Sequence, residues 1–477
     1  MFLAKYLTAL LLAINVCFFF YIGTCHANPG IRVQITQKGL NYANDLALTK
    51  MYNELQNYKF DNQRGSSSYN LYDIKVSRVS KPRGQAVLVP GQGLRWTVEI
   101  KGYRLSAKLT FSKKLLWFTI RKTFSLTMDV DSVELKLTLQ PTKATNGGLN
   151  LKALSCKSHV DVKVSAKNFV VKIILKLFRS KINRIIERKL CQSATKIINN
   201  DVASKLASFP VTRQIKHGYF FDYGFVSNPV FTSNYMQTNH KAAILDKNKN
   251  GQFPFAPPQL PQLNENKDMI YFIISDYVLN TWLYTAYRDN QLWLKVNSNM
   301  FKKENERAMF QTTCPNSICI GSFLPQIAEK YPNSKMEMHF TTYENPIVHF
   351  KANHVQLNVP VKAEFIVVQA NGSHTTILTA ELVLFSEVKT KITGVNLLLT
   401  VTETSLTVEN VHGAAPGSID MVAVKGALEI IVKFVESILP GQQFPLVVPS
   451  NTLLSNPSIR IVQNAIIVAS DLNIKSI

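Results

Sequence analysis

Apolar and polar residues alternate with period two across residues 68–140. Leu94, Trp96, Val98 and Ile100 alternate with Arg95, Thr97, Glu99 and Lys101. The apolar phase slips by one at Gly102 and continues as Tyr103, Leu105, Ala107, Leu109 and Phe111. Phe124, Leu126, Met128 and Val130 resume it, and Val133, Leu135, Leu137 and Leu139 follow a second slip. This pattern predicts long, bent antiparallel strands with one buried face. A glycine at a phase slip predicts a β-bulge. Residues 112–122, "SKKLLWFTIRK", then fall at or near a hairpin end.

Two stretches change to helical spacing. After an extended "IRVQI", the residues Leu40, Ala43, Leu46, Leu48, Met51 and Leu55 keep roughly to one helical face. A longer stripe runs through Ile173, Ile174, Leu177, Phe178, Ile182, Ile185, Ile186 and Leu190, and Ile197, Ile198 and Val202 extend it. Its opposite face carries Lys172, Lys176, Arg179, Lys181, Arg184, Arg188 and Lys189. Two readings compete here: a core-packed helix with a solvated basic face, and a helix docked on a membrane.

Residues 251–268, "GQFPFAPPQLPQLNENKD", break the pattern and predict a semi-rigid, proline-rich spacer. Beyond it the style repeats. "MIYFIISDYVLNTWLYTAY" predicts a strand running into a helix, and "FLPQIAEKYPNS" a short helix. Alternating strands fill roughly 335–410, and an apolar helix runs through Val424, Leu428, Ile431, Val432, Val435 and Ile438. Two related domains are expected, 28–250 and 269–477, although no residue-level repeat is visible.

Charge sharpens this division. The 477 residues carry a net charge of +23. Residues 28–250 hold 37 Lys+Arg against 13 Asp+Glu, whereas residues 251–477 hold 16 against 18. One half carries the electrostatics, and an excess of that size favours acidic partners. The N-terminus narrows the choice. Lys5, the apolar run Leu7 to Ile22 and a small residue at Ala27 predict a signal peptide over residues 1–27, with a retained anchor as the competing reading. A secreted chain is expected, so nucleic acid is not an expected partner.

Cys156, Cys191, Cys314 and Cys319 remain after the signal. An even count in an oxidising compartment suggests two disulfides, and proximity pairs Cys156 with Cys191 and Cys314 with Cys319. Zinc competes only at 314–319, where no histidine pair is near. Asn371-Gly372-Ser373 is a glycosylation sequon and predicts a surface loop. "DKNKNG" at 246–251 imitates the start of a calcium loop, but Pro257 stands where the twelfth-position Glu is needed. No metal site is expected. The sequence has no nucleophile elbow, zinc-protease motif, phosphate loop or dinucleotide fingerprint, and its histidines lack ligand spacing. No enzyme is expected.

The positive signal is the basic cluster. Between Ile100 and Met128 there is no acidic residue, but there are Lys101, Arg104, Lys108, Lys113, Lys114, Arg121 and Lys122. Leu115, Leu116, Trp117 and Phe118 sit among them and would be poorly hydrated on a free loop. Phosphates attract the cations and acyl chains accept Trp117 and Phe118, which suits an anionic lipid headgroup layer. The competing reading is a partly buried strand with a solvated face.

"NPGIRVQITQKGLNYA" at 28–43 resembles the mature start of the bactericidal/permeability-increasing and lipopolysaccharide-binding protein family. "FPFAPP" at 253–258, "SDYVLNTWLY" at 275–284, "GSFLPQIAEKYPN" at 321–333 and "GQQFPLVVPS" at 441–450 resemble that family in the same order. Cys156 and Cys191 stand where the family keeps its shared disulfide, and Cys314–Cys319 looks like an addition. The resemblance implies an α+β fold: an elongated boomerang of two pseudo-symmetric barrels, each a twisted antiparallel sheet with long helices. A central sheet and the proline-rich linker would join them. It implies an apolar pocket in each barrel holding a phospholipid, with no other cofactor. Leu40, Ile174, Phe178 and Ile182 would line the first pocket, and the stripe at 424–438 the second. It also implies lipopolysaccharide recognition by cations at the first barrel's tip, matching positions within 101–122. This stretch is longer and more apolar than the family's, so individual ligand contacts do not transfer. Expected partners are lipopolysaccharide, phospholipids and the Gram-negative outer membrane surface, with a monomer as the working expectation. Two functions stay open: an antibacterial lipopolysaccharide binder of innate immunity, and an extracellular lipid transfer carrier.

Overall fold

A computed structural model describes residues 28–474, apart from 57–62, 65–68, 116–117, 167–168, 216–217, 316–317, 414–420, 439–440, 447 and 449–450. The signal-peptide region, 1–27, lies outside the described residues. The first half runs β1 (Ile31–Thr36), α1 (Gln37–Gln56), β2 (Gln63–Arg64), β3 (Tyr69–Arg78), β4 (Arg83–Val89), β5 (Gly93–Leu115), β6 (Phe118–Lys143), β7 (Leu149–Ala166) and α2 (Phe169–Lys196). A π-helical segment, Ile197–Val202, leads from α2 into α3 (Ala203–Ser208). Short strands follow: β8 (Thr212–Gln214), β9 (Phe220–Asp222), β10 (Val230–Phe231), β11 (Tyr235–His240) and β12 (Ala243–Leu245). The second half runs β13 (Ile270–Ser275), α4 (Tyr277–Arg288), β14 (Trp293–Asn297), α5 (Glu304–Ala308), α6 (Ile320–Phe323), α7 (Pro325–Lys330) and β15 (Lys335–Thr342). It continues with β16 (Ile347–Lys351), β17 (His354–Val368), β18 (His374–Thr393), β19 (Asn396–Gly413), α8 (Met421–Ile438), β20 (Gln442–Pro445), β21 (Thr452–Val462) and β22 (Ala465–Ile474).

Three large antiparallel sheets organise the chain. The first has the order β2-β3-β5-β6-β7, with β4 also on β5. The last has the order β14-β15-β17-β18-β19-β20, with β16 also on β17. Between them a sheet of order β10-β11-β1-β13-β22-β21 takes strands from both halves. The expected α+β architecture, two sheet-and-helix barrels about a central sheet, is the one found.

The two phase slips in the sequence face each other. β5 and β6 pair in one unbroken register from Leu94–Leu139 to Leu115–Phe118, and pairs Lys101–Ser132 and Tyr103–Val130 flank the slip. Both strands therefore exchange faces at the same level, keeping apolar residues opposite apolar residues. Gly102 takes a φ of +63°, a conformation that glycine reaches without a Cβ penalty. The bulge expected at Gly102 is not in the β5–β6 ladder. The register shifts fall on the outer sides instead, between Val76 and Arg78 toward β3 and between Val130 and Ser132 toward β7.

Helix α2 closes the open side of the first sheet by satisfying the free edge of β7. The Val160 amide donates to Glu187 Oε1 at 3.0 Å, and the Ala153 amide donates to Asn199 Oδ1 at 2.8 Å. The disulfide Cys156–Cys191 ties the same two elements. Ile186 and Leu190 pack on Ala107, Val130, Val160 and Val162, which supports the core-packed reading of this helix. The helical stripe departs from expectation at its end. Ile198 is buried but Ile197 is 51% exposed, where the α-helix passes into the π-helical segment.

In the second half, Val424, Leu428 and Ile431 of α8 are fully buried against Phe310, Ile320, Met336, Met338 and Phe365. The pairing Cys314–Cys319 is also formed, just before α6. The central sheet is buried on both faces. Ile31 and Val33 pack with Phe272, Ile274, Ile466 and Val468 on one side. On the other side, Leu260 and Leu263 of the proline-rich segment cover Tyr271, Ile273, Ala465 and Ile467. The guanidinium of buried Arg32 donates to the Pro261 carbonyl at 2.8 Å. The segment expected to be a spacer is thus a packed layer of the junction. Its leucines supply the apolar cover, and its carbonyls accept bonds from β1.

Helix α1 turns the expected face inward, with Leu48 buried and Leu40, Leu46, Met51 and Leu55 half-buried, except that Ala43 is exposed and Asn44 is buried in its place. Asn44 donates to the Gly84 carbonyl and accepts from Trp96 Nε1 at 2.9 Å. A satisfied polar side chain replaces an apolar one at the centre of that contact.

Candidate functional site

The β5–β6 hairpin extends past its neighbours. The last pair to β3 is Phe111–Tyr69 and the last to β7 is Leu126–Ala166. Among the described residues, Ser112–Leu115 and Phe118–Arg121 therefore pair only with each other, in the register Ser112–Arg121 to Leu115–Phe118. At about 3.3 Å per residue the projection is roughly 13 Å beyond Phe111. The expectation that 112–122 lies at a hairpin end holds for the backbone.

The expected cations divide into two groups. Lys101, Arg104 and Lys108 sit on the body of β5, exposed but paired. Lys101 Nζ lies 3.0 Å from Glu99, Arg104 pairs with Asp129 across the hairpin, and Lys108 Nζ lies 3.0 Å from Asp73. Lys75 and Lys108 donate to the Asp73 carboxylate and hold it below the usual carboxylate range; Asp73 in turn raises the Lys108 ammonium. Arg121, opposite Ser112, opens the projecting part, and Lys122, opposite Phe111, stands at its root. Both are exposed and carry no ion pair among the described residues. Trp117 lies outside the described residues, as do the side chains of Lys113, Lys114 and Phe118.

Sequence reasoning missed the carboxylates. The acid-free window ends at Glu99 and Asp129, and the register Arg104–Asp129 brings one of them back beside the cluster. Alternation fixes which residues share a face, so this pairing was accessible once the hairpin centre was known. Asp73 was not, because it comes from another strand.

A second feature is an apolar cavity of about 80 Å³ between the central sheet and the second half. Ile31 and Ile274 of the central sheet, Val278, Leu279 and Trp282 of α4, Phe350, Leu397 and the segment Gln442–Leu446 line it. Trp282 meets the Phe444 ring edge-on at 5.6 Å. Leu40, expected to line a pocket, is not among the described residues around this cavity. Leu40 is half-buried on α1, and Ile174, Phe178 and Ile182 lie on α2 with side chains outside the described residues. The α8 stripe lies in the packed core instead.

The remaining candidates resolve simply. Asn371 is exposed in the β17–β18 turn, its side-chain oxygen accepting from the Ser373 amide at 3.0 Å. Asp246 Oδ1 accepts from the amides of Asn248 and Asn250, each at 2.8 Å, so that carboxylate closes a turn. Among the described residues, no His/Cys/Asp/Glu group has the geometry to hold a metal ion.

Comparison with known proteins agrees with this architecture. The family model for the LBP/BPI/CETP N-terminal domain matches residues 39–201, and that for the C-terminal domain matches residues 213–474. A lipopolysaccharide-binding protein of Mus musculus is 24% identical over 358 residues, 72% of each chain. A bactericidal permeability-increasing protein of Sebastes schlegelii is 20% identical over 470 residues, covering 94% of this chain and 96% of its own. A crystal structure of lipopolysaccharide binding protein superposes with a TM-score of 0.57 at 20% identity, covering 94% of this chain and all of that one. With both domain models matched in order across two barrels and a shared central sheet, the chain belongs to the LBP/BPI/CETP family.

Proposed function

We propose that this protein is secreted and binds lipopolysaccharide through the projecting end of the β5–β6 hairpin, which contacts lipid A phosphates. Antibacterial action against Gram-negative envelopes follows from that contact. The observation that carries the reading is the pair Arg121 and Lys122, exposed at the root of the two-stranded projection. The charge excess of residues 28–250 supports it, since a field of one sign steers and holds anionic surfaces. Relatives named for lipopolysaccharide binding and for bactericidal permeability increase support it as well.

The apolar cavity favours a second activity, phospholipid uptake, in which the protein serves as an extracellular lipid transfer carrier. Pockets for drug-sized ligands span roughly 300–1,000 Å³. At about 80 Å³ the cavity accepts part of an acyl chain, and a whole phospholipid requires the Gln442–Leu446 wall to move. The deciding experiment measures the mature protein against lipopolysaccharide and phosphatidylcholine vesicles at low and high salt. Tight, salt-sensitive binding to lipopolysaccharide alone supports the first reading. Salt-insensitive extraction of phosphatidylcholine, without lipopolysaccharide binding, replaces it with the carrier.

A further inference from the structure

Two neighbouring elements carry an extra residue at the same place. In the β6–β7 ladder, Thr138 pairs with Ser155 and Leu139 with Ala153, so Leu154 is the unpaired residue of a bulge. Alongside it runs the π-helical segment that begins at Ile197. The bond from the Ala153 amide to Asn199 joins the two irregularities. Bulges and π-turns commonly re-aim side chains at functional positions. Each irregularity carries an exposed aliphatic side chain: Leu154 is 46% exposed and Ile197 51%. Phe209, at the end of α3, is 64% exposed, and the Asn146 bond to the Ala207 carbonyl holds that helix against the β6–β7 turn. Exposed apolar residues scattered singly mean little, but three at one junction of packed elements make a patch.

The surrounding charge identifies the partner. Lys152, Lys157, Lys196, Lys205 and Arg213 are exposed in the same segments. Asp201 is the single acidic residue within 149–160 and 192–215. Aliphatic and aromatic side chains among cations match the interface of an anionic bilayer, where acyl chains take the former and phosphates the latter. We propose that Leu154, Ile197 and Phe209, with these cations, form a second membrane-contacting surface for anionic phospholipid. This surface does not depend on the lipopolysaccharide reading. Leu139 and Phe118 are 21 residues apart on β6, about 70 Å of strand, so the patch and the hairpin end lie at opposite ends of the same strand pair.

The test uses the full mature chain and vesicles of phosphatidylcholine with or without phosphatidylserine. Replacing all three side chains (Leu154→Ser, Ile197→Ser, Phe209→Ser) should weaken partition onto phosphatidylserine vesicles by on the order of tenfold. Lipopolysaccharide affinity and the unfolding midpoint should stay unchanged. A Phe209→Trp variant supplies a direct readout: its added fluorescence should shift blue and be quenched by brominated acyl chains. Partition equal to wild type overturns the proposal, as does an added tryptophan that stays accessible to aqueous quencher on vesicles. Loss of self-association without loss of vesicle binding would make the patch a contact between copies, and overturns it as well.

Discussion

Three of the cations near the hairpin are held by carboxylates, so removing the carboxylates should strengthen binding. Asp73→Asn, Glu99→Gln and Asp129→Asn release Lys108, Lys101 and Arg104. Exposed pairs of this kind contribute about 0–1 kcal/mol to stability, so the fold should tolerate the change. A free Lys or Arg near an anionic membrane surface contributes about 1 kcal/mol of attraction. Mutual repulsion among the released cations reduces the sum, leaving about 2 kcal/mol, or roughly 30-fold in Kd for lipopolysaccharide at low salt. The reverse variant, Arg121→Ser with Lys122→Ser, should lose a similar amount. Both changes should shrink in 0.5 M salt, where the screening length falls to roughly 4 Å. Titration of lipopolysaccharide at two salt concentrations, with circular dichroism to check folding, measures all of this. If the triple carboxylate variant binds no tighter and the Arg121/Lys122 variant no weaker, electrostatic recognition at this hairpin is wrong.

The remaining predictions concern stability and the cavity. Burial lowers the His240 imidazole from 6.5 to about 4, against a smaller opposing effect of its bond to the Tyr223 carbonyl. The unfolded chain therefore takes up the proton first, and stability should fall by about 3 kcal/mol as pH drops from above 6.5 to below 4; His240→Gln should flatten that part of the denaturation profile. Removing the Cys156–Cys191 bridge with serines should cost about 4 kcal/mol by the chain-entropy model at its separation of 35, against about 2 kcal/mol for Cys314–Cys319 at 5, read from denaturant midpoints. Leu279→Phe should fill part of the cavity and reduce phosphatidylcholine extraction while leaving lipopolysaccharide affinity within about twofold; overpacking at this scale costs roughly 1–3 kcal/mol, which thermal unfolding would register.

Much of the fold was legible because its signals are local. Alternation at 94–111 and 124–139 marks strands whatever they pair with, and the slips at Gly102 and Val130–Val133 showed where the strands change face. Cysteine proximity led to both disulfides. The misreadings share a different cause. Periodicity places Ala43 and Ile197 on buried faces, because it cannot register a buried Asn44 bonded to Trp96 or a change from α- to π-helical turns. The proline-rich segment reads as a spacer because composition measures chain stiffness, whereas burial of Leu260 and Leu263 depends on the sheet they meet.

The candidate site divides along the same line. By itself the sequence determined the concentration of positive charge in residues 28–250, the long hairpin and the position of its basic end, since charge and period-two patterning are additive along a chain. Only the tertiary structure decided which cations are free. Lys108 is held by Asp73 from another strand, whereas Arg121 lies beyond the last described pairs to β3 and β7. Only it decided that an apolar cavity opens between α4 and Gln442–Leu446, elements more than 150 residues apart. Ion pairing and cavity shape depend on distances of a few ångströms between segments remote in sequence, and those distances are set by how the sheets pack.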